Sequence, residues 1–160
     1  MAEPLITWRG EVLGQWCDYN GHLRDAFYLL IFSYATDGFM EQIGLGESGR
    51  QASGHSLFTL ECHLNFLHEL HQGETVEVQT RVLAFDQKRV QLYHSLHRPG
   101  DGQAVAASEQ MLLHVDLQGP RSVPFGDASA THLNALHRLH AQLAQPQWVG
   151  RVIGLPPPRP

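Results

Sequence analysis

Between Ala26 and Ile43 the polar side chains are few: Ser33, Thr36, Asp37, Glu41 and Gln42. At 3.6 residues per turn Ser33, Asp37 and Glu41 fall on one stripe, which leaves most of the circumference apolar. The spacing predicts a helix buried on nearly all sides, with Asp25 as candidate N-cap and Gly44 as the residue that ends it. A bilayer span needs about 20 consecutive apolar residues, and this run is too short and too polar in its second half. Upstream, Ile6 to Gln15 predicts a strand anchored by Trp8, Val12 and Leu13, with a bend at Gly14. The glycine-rich polar stretch from Gly44 to Gly54 predicts a mobile loop.

Beyond it the pattern changes to period two. Phe58, Leu60, Cys62 and Leu64 alternate with polar residues, and Val76, Val78 and Val82 do so again within Thr75–Val82. Turns are expected at Gln72-Gly73, Asp86–Arg89 and Pro99–Gly102, which delimit strands over Val90–His97 and from Ala104 to Val115. Thr131 to Leu143 returns to helical spacing, with Leu133, Leu136, Leu139, His140 and Leu143 on one face, and the proline-rich tail 145–160 is expected to run extended. A long apolar helix followed by four long antiparallel strands predicts an α+β architecture, the sheet curled around the helix. The sheet keeps an edge to cover, and a second copy of the chain is one remedy. Neither a repeat nor a linker divides the sequence, so one domain over 1–160 is expected, with its core at about 6–144.

Charge and composition narrow the function. A net charge of −5 without any Lys/Arg run argues against nucleic acid as a partner. Two cysteines, Cys17 and Cys62, and an N-terminus without a basic-then-apolar segment point to the cytoplasm rather than to secretion or a membrane. The chain has 11 histidines, but His68/His71 and His137/His140 lack a third ligand at recognised zinc spacing, so no metal is expected. Gly-x-Gly-x-x-Gly is absent, and with it the expectation of a nicotinamide or flavin cofactor.

The chemistry concentrates in Trp16-Cys17-Asp18-Tyr19-Asn20-Gly21-His22-Leu23-Arg24-Asp25. Two carboxylates, an amide and an imidazole stand there beside the start of the predicted helix, whose first N–H groups have no intrahelical acceptor. A carboxylate next to such donors has the parts for acyl transfer. Cys17 beside Asp18 and His22 is also a candidate nucleophile, although a small buried residue is the simpler reading.

Asp18, Gly21-His22, Arg24-Asp25 and Tyr28-Leu29, with Asn65-Phe66 and Gly73-Glu74 further on, resemble the hotdog-fold acyl-CoA thioesterases of the 4-hydroxybenzoyl-CoA thioesterase type. Many relatives carry two asparagines where this chain has Arg24-Asp25. The wording Trp16–His22 and Asp86–Arg89 is closest to the carnitine-catabolism subgroup, which includes betainyl-CoA thioesterases. The resemblance implies a hotdog domain hydrolysing a short or polar acyl-CoA, with coenzyme A entering as part of the substrate and no cofactor. It implies Asp18 as nucleophile or general base, Asn20 and His22 as shapers of the turn or of water, and the backbone N–H groups of Asp25, Ala26 and Phe27 as oxyanion donors. Trp16, Tyr28, Phe58 and Glu61 are the expected substrate contacts, with Phe27 as a further aromatic, and Lys88, Arg89 or Arg98 the candidates for the coenzyme's phosphates. A homodimer or homotetramer is implied, with sites formed between subunits. Three alternatives stay open: an acid mounted on the helix (Asp37 or Glu41), a hotdog enoyl-CoA hydratase or dehydratase, and a non-catalytic acyl-CoA-binding domain.

Overall fold

The computed structural model describes residues 1–160. Strand β1 (Leu5–Glu11) leads through a 3₁₀ turn (Gly14–Trp16) to helix α1 (Asp25–Gln42) and the short α2 (Glu47–Ser53). Four long strands follow, β2 (His55–Phe66), β3 (Thr75–Phe85), β4 (Arg89–His97) and β5 (Ala104–Asp116), then the two-residue β6 (Arg121–Ser122) and α3 (Asp127–His140). All neighbours are antiparallel, in the order β1-β3-β4-β5-β2, with β6 added to β5. Helix α1 packs against β1, β3 and β2. Since β1 and β2 are opposite ends of that order, one helix touches both only if the sheet curls around it. This is the expected α+β hotdog arrangement.

The apolar circumference of α1 explains why it is central. Ile31, Phe32, Ala35 and Phe39 are fully buried, whereas Ser33, Asp37 and Glu41 face outward as their spacing predicts. Truncating a side chain such as Phe32 to alanine in a core of this kind costs about 3–5 kcal/mol. Gly38 lets the helix approach β1 closely, because a Cβ there would lie 2.0 Å from the Thr7 carbonyl oxygen. Midway along α1 a polar layer separates two apolar clusters. Thr7 and Thr80 share a 2.7 Å hydrogen bond, Thr80 meets Nδ1 of His94 at 2.7 Å, and Nε2 of His94 meets Thr36 at 3.1 Å. With the Thr36 hydroxyl donating to the Phe32 carbonyl at 3.1 Å, His94 donates through Nε2 and accepts through Nδ1. Burial drives the His94 pKa down to about 3, so the ring is neutral at ordinary pH.

Four elements depart from the sequence reading. The expected loop after α1 contains α2, which glycine-rich composition hides. It closes at Gly54 in the left-handed conformation (φ 70°), and Arg50 reaches back to donate to the Leu45 carbonyl at 3.0 Å. Asp25 is the first residue of α1 rather than its cap; Arg24 holds the cap position without a side-chain bond, and the Asp25 carboxylate accepts from the N–H of Ala26. In β2 a bulge between Thr59 and Glu61 reverses the alternation. Leu57 is therefore buried, while Phe58 and Leu60 are 42% and 56% exposed, against the buried face expected of them. Finally, α3 starts at Asp127, and its buried face runs through Leu133 and His140 but leaves Leu139 outside. After α3 the chain crosses the outer face of the sheet, tied by Arg81 to the Ala144 carbonyl (2.8 Å) and by the Gly150 N–H to Glu109 (3.0 Å). From Arg151 onward it is exposed and without regular structure.

Candidate active site

The turn before α1 folds around its own aspartate. Oδ1 of Asp18 accepts the backbone N–H groups of Asn20 (2.9 Å) and His22 (3.1 Å), and the main chain closes with Gly21 N–H to the Asp18 carbonyl at 3.0 Å. Gly21 carries the positive φ (76°) that this tight reversal needs. The second oxygen, Oδ2, makes no hydrogen bond within the chain. Burial alone would raise the Asp18 carboxyl, but the His22 and Asn20 N–H groups, helped by the charges of His22 and Arg24, hold it below the ordinary carboxylate range. Asp18 is thus an anion with one oxygen fixed and the other available.

The turn is anchored on the segment after β2. Leu23 N–H donates to the Leu70 carbonyl at 2.8 Å and Gln72 N–H to the Gly21 carbonyl at 3.1 Å, so the two segments wall an open cleft of about 370 Å³. Asp18, His22, Asp25 and Tyr28 line one side, and Phe66, Leu67, His68 and Glu69 the other. Tyr28 and Phe66 meet edge to face, with centroids 5.2 Å apart. At the start of α1 the N–H of Phe27 is taken by the Arg24 carbonyl (3.1 Å) and that of Ala26 by the Asp25 carboxylate (2.8 Å). Of the three expected oxyanion donors, only the Asp25 N–H is left without an acceptor in the chain.

The other expected site residues are placed as follows. The His22 ring turns from Asp18 toward His71, and Asn20 contributes its backbone N–H while its side chain stays exposed. Trp16 is drawn into the core, 7% exposed and stacked on Phe27 with centroids 6.1 Å apart, because the 3₁₀ turn points its indole under α1. Phe58 and Glu61 pair with Leu113 and Met111 on the outer face of the sheet, so a single chain does not bring them to Asp18. Phe58 lies eight residues from Phe66, about 26 Å along the strand. Asp37 and Glu41 stay on the exposed stripe of α1. Cys17 bonds the Leu13 carbonyl (3.5 Å) rather than an imidazole. Of the cations, Arg89 is held by Asp86 (2.8 Å) and Arg98 by Glu74 (2.7 Å) and the Glu69 carbonyl (3.0 Å). Phe66, Leu67, His68 and Glu69 escaped the sequence reading as site residues because they are the last residue of β2 and the three that follow it, where periodicity gives no signal.

The chain belongs to the thioesterase-like superfamily, whose pattern it matches over residues 12–139. It is a thioester hydrolase by that membership and by its relatives. It is 60% identical to the betainyl-CoA thioesterase of Pseudomonas aeruginosa, over 99% of this chain and the whole of that protein. It is 41% identical, over 82% of its length, to an L-carnitine dehydrogenase/betainyl-CoA thioesterase of Agrobacterium fabrum, of which it spans 28%. Among solved structures, a Staphylococcus aureus protein in complex with CoA superposes with a TM-score of 0.89 at 29% identity, 98% of each chain being covered. A candidate thioesterase from Pseudomonas putida gives 0.84 at 54% identity, covering 96% of this chain and 97% of its own. No helix is long and apolar enough to cross a membrane.

Proposed function

We propose that this chain hydrolyses betainyl-CoA to betaine and free coenzyme A, with Asp18 as the catalytic carboxylate. The observation that carries the choice of acyl group is the lining of the cleft: the carboxylates of Asp18 and Asp25 line it together with the aromatic side chains of Tyr28 and Phe66. A trimethylammonium group is drawn to aromatic faces by about 0.5–2 kcal/mol per ring, and nearby carboxylates add attraction. The relatives named above, one of them matched over its full length, support the same acyl group.

With the cation against Tyr28 and Phe66, the thioester carbonyl oxygen faces the Asp25 N–H, which stabilises the oxyanion as the carbonyl carbon becomes tetrahedral. The free Oδ2 of Asp18 either attacks that carbon or takes the proton of the water that does. By attack, the C–S bond breaks to leave a mixed anhydride on Asp18, the thiolate takes a proton from solvent, and water then cleaves the anhydride to betaine. By base catalysis, the C–S bond breaks as the proton taken from water passes to the departing thiolate. Turn and helix start are joined directly, Arg24 N–H donating to the Trp16 carbonyl at 3.0 Å, so carboxylate and oxyanion donor are held in fixed relation.

The assembly is proposed to be a homodimer, or a pair of dimers, built on the β2 edge. That edge is 12 residues long and ends the sheet, with Phe58, Leu60 and Phe66 exposed along it. A long apolar edge of this kind is covered most simply by a second copy running antiparallel. Such pairing sets one chain's Phe58 end beside the other chain's Phe66 end. The test is thiol release from betainyl-CoA and a panel of short acyl-CoAs, with the mass of the active species read by light scattering. Turnover of betainyl-CoA by a dimer or tetramer is expected. Absence of release from every thioester, with coenzyme A still bound, would replace hydrolysis by simple binding.

A further inference from the structure

Three donor side chains converge beside the catalytic turn from segments far apart in sequence. Nε2 of His22 lies 3.1 Å from Nε2 of His71 and 3.4 Å from Oε2 of Glu69, and the three ligand atoms all fall within 4.8 Å of one another. We infer that His22, Glu69 and His71 form a binding site for one divalent transition-metal ion of the zinc class. In a tetrahedral site with metal–ligand bonds of about 2.0–2.2 Å, ligand atoms stand about 3.3–3.6 Å apart; the two separations from His22 are close to that, and the third closes by rotation of the exposed Glu69 side chain. Two imidazoles and one carboxylate suit zinc, cobalt or nickel, and do not suit magnesium or calcium, which take oxygen.

The backbone and the surrounding charges support the same assignment. A main-chain bridge pairs His22 with His71, so the two rings meet through fixed backbone rather than through flexible loops. On the far side of His71, Nδ1 faces Oε2 of Glu74 at 3.6 Å, and the same oxygen accepts the His71 N–H at 2.6 Å. Arg98 holds the other oxygen of Glu74 at 2.7 Å. A carboxylate thus stands on the Nδ1 side of His71, the side from which outer-shell carboxylates orient metal-bound histidine, while Nε2 faces His22. Glu69, with a 72% exposed side chain, completes the set from the cleft side and leaves the fourth position to water.

The test is zinc titration of the tag-free, chelator-stripped chain by calorimetry, repeated with cobalt to read the visible absorption of a tetrahedral site. Wild type is expected to take one ion per chain. His71→Gln should weaken binding by more than about 100-fold, beyond the 10–100-fold that outer-shell changes cost. Glu69→Gln, on an exposed side chain that leaves folding untouched, should weaken it and alter the cobalt spectrum. His63→Gln, on the outer face of β2, should bind as wild type does. Absence of uptake at millimolar zinc would overturn the inference. So would uptake that both His71→Gln and Glu69→Gln leave unchanged, since the ion would then sit adventitiously on other surface histidines.

Discussion

Two polar clusters flank α1 and are built from similar parts, yet only one has chemistry left over. Halfway along the helix, Thr36, His94, Thr80, Thr7 and Gln110 bond one another in the core, His94 being fully buried. At the helix start, Asp18 gives one oxygen to the turn and keeps the other, and the Asp25 N–H has no acceptor. The deep layer uses its hydrogen-bonding capacity internally, as buried polar groups must, and so it specifies how α1 seats on the sheet. The turn leaves capacity unused at a solvent-accessible cleft, which is where a substrate can employ it. Residue type does not separate a structural histidine from a carboxylate free to react; unsatisfied capacity with access does.

The contrast predicts opposite outcomes for substitutions in the two clusters. Asp18→Asn keeps the Oδ1 acceptor that closes the turn and removes only the anion. Its kcat/KM should therefore fall by about 10²–10⁴-fold, the range for a lost general base, while the thermal midpoint stays at the wild-type value. A large fall in the midpoint would show that the carboxylate is structural after all. His94→Leu should do the reverse. It removes one buried hydrogen-bond partner from each of the Thr36 and Thr80 hydroxyls, together with the ring that stacks on Phe32, and should cost about 2–5 kcal/mol in denaturant unfolding, with kcat/KM preserved at a temperature where the variant is folded.

A smaller effect separates the clusters by pH. The His94 pKa is lowered to about 3 in the folded chain by burial, against about 6.5 when unfolded. Protonation therefore favours the unfolded chain between those values. The stability that neutral His94 contributes is complete above about pH 6.5 and declines by up to about 1.4 kcal/mol per pH unit as the pH falls toward 3. Unfolding curves at pH 6.5 and 4.5 should show this loss for wild type, and His94→Leu should be measurably less pH-sensitive over that interval. Equal slopes would contradict a neutral buried His94. The smallest effect belongs to the cleft wall. Phe66→Leu removes one aromatic face and should cut the preference for a cationic over a neutral acyl group by about 2–10-fold, leaving turnover of short neutral acyl-CoAs near wild type.

What the sequence disclosed was local. The stripe Ser33, Asp37, Glu41 and the alternation of Val76, Val78 and Val82 depend on helix and strand periods, and both appear on the faces expected. The turn from Asp18 to His22 is likewise a matter of neighbouring residues. What stayed hidden depends on residues far apart or on a single inserted position. One bulge in β2 sends Phe58 and Glu61 to the outer face of the sheet. A one-turn 3₁₀ segment places Trp16 in the core instead of the cleft. The wall from Phe66 to Glu69 and the meeting of His22 with His71 join segments about forty to fifty residues apart, and spacing rules for metal ligands read only one segment at a time.

The central claim is that the Asp18 cleft reads a positive charge on the acyl group of a thioester. The most direct measurement compares kcat/KM of the wild-type chain for betainyl-CoA and for 3,3-dimethylbutanoyl-CoA, the neutral carbon isostere in which a quaternary carbon replaces the nitrogen. Shape and size are matched, and dividing each kcat/KM by the hydroxide-catalysed rate of the same thioester removes the inductive activation by the ammonium group, so the normalised ratio reports recognition of the charge. A preference for betainyl-CoA of about 10-fold or more is predicted, the sum of two aromatic faces and their neighbouring carboxylates. Equal rates, or faster hydrolysis of the neutral thioester, would contradict it.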